Sequence, residues 1–163
     1  MPILPIETEL EKANKILRAR SEEVTVKDIT GAKIQKLIAD MKATLARTPN
    51  GIGLASPQVG KNLRIFVALP ELELNQTVFI NPVILKISAG SEPMEEGCLS
   101  VPEKYGKVGR AISLKVEAYN ERGRKFKMKA DGLIAQLVQH EVDHLDGKLF
   151  IDKATNIFEK KKE

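Results

Sequence analysis

The segment from Asp131 to Gly147 constrains this chain more than any other. Leu133, Leu137, Val138 and Leu145 recur at the spacing of a helix with one apolar side. Asp131 suits the N-cap, and Gly147 suits the left-handed residue just past the C-terminal end. Inside this helix stands His140-Glu141-Val142-Asp143-His144. Residues four apart share a helix face, so both imidazoles can reach one cation. Glu141 lies beside the first imidazole, where a carboxylate can hold and deprotonate a water next to a metal. The chain has 2 histidines, and both are here. The plainer alternative, a polar stripe on a surface helix, is weakened by the apolar neighbours.

Two imidazoles do not complete a catalytic site of the zinc type, which takes a third protein ligand and keeps one position open. The candidates are a carboxylate or the single cysteine, Cys98, in Glu96-Gly97-Cys98-Leu99-Ser100. A buried cysteine is usually a small apolar filler. Cys98 instead follows a glycine and precedes a residue whose backbone can turn inward, so it ranks first, as a thiolate. A Cys/His nucleophile pair is the competing use, and it would leave the second histidine and Glu141 without a role. One cysteine also excludes an intrachain disulfide framework and fits a reducing compartment. A third segment, Gly51-Ile52-Gly53-Leu54-Ala55-Ser56-Pro57-Gln58-Val59-Gly60, is rich in small residues. It lacks the third glycine of a dinucleotide fingerprint and the Lys-Ser/Thr pair of a P-loop. It reads either as a turn into the next strand or as a loop that admits a substrate backbone and presents Gln58.

Around these segments the periodicity predicts helices over Glu7 to Arg18 and Thr30 to Arg47, the second ending before Pro49-Asn50-Gly51. Leu63 to Leu69 and Val78 to Ile87 read as strands, the latter interrupted at Asn81-Pro82. Ile112 to Tyr119 alternates, Glu121-Arg122-Gly123 turns, and Lys125 to Lys129 returns, a hairpin with one half-buried face. The expected class is α+β: mixed or antiparallel strands packed around a C-terminal metal-binding helix, with helices at the N-terminus. The 163 residues suit a single catalytic domain, 1–163, with 153–163 as a basic, partly flexible tail. No apolar run approaches the roughly 20 residues of a membrane-spanning helix. Met1 to Pro5 carries no basic leader with an apolar stretch. A cytoplasmic protein without a membrane partner is therefore expected. The net charge is +4, gathered at Arg122, Arg124, Lys125, Lys127 and Lys129 and at Lys160 to Lys162. These are solvated faces or weak attractors of a polyanion. With 4% aromatics and no Trp, base stacking and sequence-specific nucleic-acid binding are not expected.

Taken together, Gly51 to Gln58 as Gly-x-Gly-Leu-Ala-x-x-Gln, Glu96 to Ser100 as Glu-Gly-Cys-Leu-Ser, and Gln139 to His144 as Gln-His-Glu-x-x-Asp-His resemble the peptide deformylase family. The three motifs occur in the family's order and span nearly the whole chain. The resemblance implies a hydrolase that removes the formyl group from the N-terminal formyl-methionine of new polypeptides. By matching positions, Cys98, His140 and His144 would bind the metal. Ferrous iron is the physiological ion this implies, with zinc, nickel or cobalt able to replace it. Glu141 would be general base and acid, and Gln58 with the Leu99 backbone N–H would form the oxyanion hole. Gly53 would offer its backbone to the peptide. Ile52, Glu96, Leu133, Leu137 and His140 would line the methionine pocket. The spacing agrees in part on its own: Leu133, Gln136, Leu137, His140, Glu141 and His144 share one helix face, so the metal face continues into a largely apolar wall.

Ser56 stands where the family usually has Ala, Gln136 where relatives are often apolar, and Tyr105 where some carry Arg. None is a ligand, so these departures bear on side-chain preference and on residues beyond the methionine. Each ligand histidine is expected to donate its second nitrogen to a carbonyl or carboxylate, and Arg110 to pair with Asp143. Two alternatives remain open at this point. An HExxH endopeptidase would usually find its third ligand further along, yet only 19 residues follow His144. A non-catalytic, ribosome-associated metal module would need four protein ligands, against three good ones. The expected partners are N-formylmethionyl nascent peptides and the ribosome near its exit tunnel, the latter through Ile157-Phe158 and the Lys-rich end. A frayed terminus is the plainer reading of that end.

Overall fold

Apolar residues fill both faces of the central strands, so the sheet they form must be covered on both sides. The computed structural model, which describes residues 2–8 and 14–161, shows what covers it. Strands β1 (Gly53–Ala55), β2 (Ile65–Ala68), β3 (Val78–Ile87), β6 (Ser113–Tyr119) and β7 (Lys125–Asp131) form a sheet in the order β1-β2-β3-β6-β7. All its pairs are antiparallel. On one face, Leu54, Ile65, Val67, Val78 and Ile80 pack with Ile34, Leu37, Ile38, Met41 and Leu45 of helix α2 (Ala32–Ala46). On the other, Phe66, Phe79, Leu114, Val116 and Ala118 pack with Ala135, Leu137, Val138 and Leu145 of helix α3 (Gly132–Leu145). Phe66 and Phe79 stack at the centre of that second layer, ring centroids 4.4 Å apart.

A second antiparallel sheet holds β4 (Glu92–Cys98), β5 (Val101–Arg110) and β8 (Thr155–Glu159), in the order β4-β5-β8. Its small core is Val101, Val108, Leu149 and Phe150, with Cys98 against it. Helix α3 touches both sheets: its apolar side packs on the first, and its polar side faces β4 and β5. The α+β class expected from the sequence is the class observed. Among the described residues no helix is long and apolar enough to cross a membrane.

Several local expectations are corrected. Within the segment expected as a first helix, only α1 (Lys15–Arg18) is helical among the described residues, and residues 9–13 lie outside them. Asn14 caps α1 by accepting from the Ile16 and Leu17 N–H groups at 3.1 and 3.0 Å. The interruption expected in β3 at Asn81-Pro82 is present, as a bulge inside a continuous strand. Asn81 takes φ +51° and the register shifts between Ile80 and Val83, a bulge that the Asn81 side chain pins to the Val24 backbone at 2.8 and 2.9 Å. Asp131 occupies the N-cap of α3 and also ends β7, but its side chain makes no capping bond. Gly147 has φ +77°, and a Cβ there would run into the Arg18 carbonyl. Residues 155–159, inside the stretch read as a tail, form β8 on the open edge of β5.

Candidate active site

The bulge between Gly97 and Cys98 ends the regular pairing of β4 with β5, and there Cys98 meets the polar side of α3. Its Sγ lies 3.3 Å from His144 Nε2, which lies 3.2 Å from His140 Nε2. The three donor atoms all fall within 4.8 Å of one another. One thiolate and two imidazoles converging this way suit a borderline divalent ion. The third ligand suggested by the sequence is thus brought to the two histidines.

The orientation of His140 is fixed from behind. Its Nδ1 lies 2.8 Å from Glu96 Oε1, leaving Nε2 toward the other donors. Arg110 in turn donates to both oxygens of Glu96, at 2.6 and 2.8 Å, and to Asp143 at 2.7 Å. The expected Arg110–Asp143 pair is therefore present. Glu96, expected only as pocket wall, also locks a histidine. No such partner exists for His144: its buried Nδ1 has no hydrogen-bond partner among the described residues. Burial opposes the charge of Glu96, but the hydrogen bonds from Arg110 and His140 outweigh it and hold its pKa at about 2. Burial also opposes a charged His140, yet its hydrogen bonds to Cys98 and Glu96 push its pKa well above the usual value. Burial and the neighbouring His140 charge push His144 well below it.

Glu141 is 2% exposed, and its Oε2 has no hydrogen-bond partner among the described residues. Burial, with the Glu96 charge adding and the His140 and Arg110 charges opposing, lifts its pKa to about 7. A buried carboxylate with a bare oxygen, one residue from a convergent histidine, is equipped to exchange protons. Gln58 accepts from the Ala55 N–H through Oε1 at 2.9 Å, which turns its amide nitrogen toward Ser100 Oγ at 3.2 Å and Cys98 Sγ at 3.6 Å. Ser100 is an anchor the sequence reading passed over, although it lies in the same motif as Cys98.

These groups open into a cleft of about 310 Å³. Ile52, Gly53, Gln58, Glu96, Cys98, Leu99, Leu133, Leu137, His140 and Glu141 all line it, while His144 sits behind the wall, 1% exposed. Leu137 is buried at the inner end and Leu133 is exposed at the mouth. A Cβ on Gly53 would come within 2.5 Å of Leu137 and 2.9 Å of Glu141, so only glycine leaves this backbone open. Val101 to Lys104 also line the cleft and were not foreseen, because they belong to the second sheet.

Residues 6–160 match the polypeptide deformylase family. A peptide deformylase from Acinetobacter baumannii is 42% identical over 153 residues, 93% of this chain and 83% of that protein. The crystal structure of peptide deformylase from Thermotoga maritima superposes with a TM-score of 0.85 at 35% identity, covering 95% of this chain and 99% of that one. A class I type b peptide deformylase from Acinetobacter baumannii, solved with Met-Ala-Ser bound, gives 0.83 at 34% identity over 93% and 98% of the two chains. Fold and site define a metal-dependent hydrolase built on an HExxH helix. More narrowly, the chain belongs to the polypeptide deformylase family, and it removes the formyl group from N-terminal formylmethionine. The named matches favour neither the endopeptidase nor the non-catalytic alternative.

Proposed function

We propose that Cys98, His140 and His144 hold one divalent metal ion, and that Glu141, Gln58 and the Leu99 backbone N–H carry the deformylation. The observation behind this is the convergence of three donors within 4.8 Å, beside a buried carboxylate oxygen without a partner. When bound, such a cation supplies Lewis acidity, which eases deprotonation of water and polarises a carbonyl. Glu141 takes a proton from the attacking water and returns it to the departing amine, giving formate and a free N-terminus. Gln58, its carbonyl held by Ala55, and the Leu99 N–H donate to the oxygen on which charge develops. One such donor is worth about 3 kcal/mol of barrier.

β1 and β4 are edge strands of their sheets, and both border the cleft. An extended peptide can lie between them and add to β1 through the Gly53 backbone. Ile52, Leu133 and Leu137, with the stem of Glu96 and the ring of His140, then receive the methionine side chain. The relative solved with Met-Ala-Ser holds the kind of product this reading expects.

Ferrous iron is the proposed physiological metal, with zinc, nickel or cobalt able to replace it. The proposed setting is the cytoplasm, with residues 1–163 acting as one catalytic domain on nascent chains. The ribosomal contact is assigned to the Lys-rich end. Loss of ribosome co-sedimentation at low salt on deleting residues 160–163 is expected, and equal sedimentation would remove that contact. The central test is formate release from formyl-Met-Ala-Ser under anaerobic conditions, with metal analysis of the same sample. Glu141→Ala is expected to lose about 10²- to 10⁴-fold in turnover and to keep its metal. Retained turnover would overturn the assignment.

A further inference from the structure

Gly97, Tyr105 and Phe158 form one cross-strand row in the second sheet, Gly97 pairing with Tyr105 and Tyr105 with Phe158. The Tyr105 ring lies over Gly97 so closely that a Cβ there would come within 2.6 Å of it. From the other side Phe158 stacks on Tyr105, ring centroids 5.7 Å apart and planes 24° apart. Tyr105 is half-buried and lines the cleft, whereas Phe158 is 43% exposed and is not on the cleft wall. Every residue of β8 is exposed, so core burial does not account for an aromatic side chain there. The ring contact of Phe158 is with Tyr105, next to Gly97 in the row.

The geometry points to Phe158 as a positioning residue for the part of the substrate beyond its formylmethionine. The claim rests on the proposed reading of this cleft as the peptide site. The convergent donors and buried Leu137 mark the inner end, which takes the formyl group and first side chain. Tyr105, with Pro102, Glu103 and Lys104, forms the outer wall. A peptide extended along β4 at about 3.3 Å per residue passes that wall with its second and third residues. A clamped aromatic ring offers them a flat surface that needs no ordering on binding. Without Phe158 the ring can turn away, and binding of those residues weakens while groups at the inner end stay in place.

Steady-state kinetics of anaerobically metal-loaded wild type and Phe158→Ala test this, with formyl-Met-Ala-Ser and with formyl-methionine amide, which ends before Tyr105. Expected is a rise in KM for the tripeptide of about two- to ten-fold, the range set by one aromatic pair, with kcat within twofold. The KM for the amide should not move, and Phe158→Tyr should restore the tripeptide value. An unchanged tripeptide KM, or equal shifts for both substrates, would overturn the assignment. Should Phe158→Ala lose its far-ultraviolet circular dichroism, Phe158→Leu makes the same comparison, keeping bulk without the ring. Wild-type protein that released no formate from either substrate would instead defeat the underlying reading of the cleft, and this inference with it.

Discussion

Arg110 is 2% exposed and serves two carboxylates, Glu96 and Asp143, through three of its donors. Asp143 keeps a second partner, Lys153 at 3.0 Å, but Glu96 would be left with His140 at 2.8 Å and the distant Gln136 amide at 3.4 Å if the guanidinium were lost. Removing one side of a buried pair costs about 3–5 kcal/mol, because the other charge stays buried. Arg110→Met is therefore expected to lower the melting temperature by roughly 6–20 °C for a chain of this size. Metal affinity should fall about 10- to 100-fold, since His140 loses its fixed orientation. Differential scanning calorimetry and metal titration read the two effects. A melting curve that did not move would reduce the pair to the value of a surface contact. The ligand residues themselves were legible in the sequence, because histidines four apart and a lone cysteine are a chemical pattern. The locking role of Glu96 was not, because it depends on bringing together residues 44 apart.

Beside its ion pairs, helix α3 is tied to the crossing between the two sheets by a buried amide. Gln139, buried inside α3, accepts from the Ala111 N–H at 3.0 Å and donates to the Ala111 carbonyl at 2.9 Å. It thereby satisfies both backbone groups of the residue where β5 gives way to β6. Gln139→Leu would leave both unpaired at a buried position, at a cost of about 2–4 kcal/mol. Urea denaturation should show this as a lower midpoint with unchanged slope, and a loss under about 0.5 kcal/mol would mean that water replaces the amide. The elements readable in advance are those with a burial period. In α2 Ile34, Leu37, Ile38, Met41 and Leu45 repeat at helical spacing, and Leu114, Val116 and Ala118 of β6 alternate. β4 and β8 carry no such signal. Residues 92–98 expose or half-bury all but Glu96, and 155–159 are exposed throughout. What holds β4 at the site is the ion pair of Glu96 and the convergence at Cys98, and what holds β8 is pairing to β5 across the intervening chain. Neither leaves a hydrophobic period to read.

At the scale of the whole molecule, the candidate ligands come from both halves of the architecture. His140 and His144 ride on α3, whose apolar side is packed into the core of the five-stranded sheet. Cys98 ends β4 of the three-stranded sheet, whose own core is Val101, Val108, Leu149 and Phe150. That second core is small, so the three-stranded sheet depends on its cross-connections: the Glu96–Arg110–Asp143 pairs and the convergence of Cys98 with the histidines. A bound cation would join the two sheets and bind only where both are in place. Binding to the folded state alone stabilises it by about 4.1 kcal/mol at a thousandfold excess over Kd. Removal of the metal by a chelator is thus expected to lower the melting temperature by roughly 8–16 °C. The shift should grow with the logarithm of metal concentration and vanish in Cys98→Ala. The loss should also be uneven. Hydrogen exchange of the chelated protein should show β4 and β5 opening before the α2 layer, whose core of Ile38, Met41, Ile65 and Ile80 holds none of the ligands. Equal protection in the two sheets, or a melting temperature indifferent to chelation, would mean that the ion plays no part in joining them.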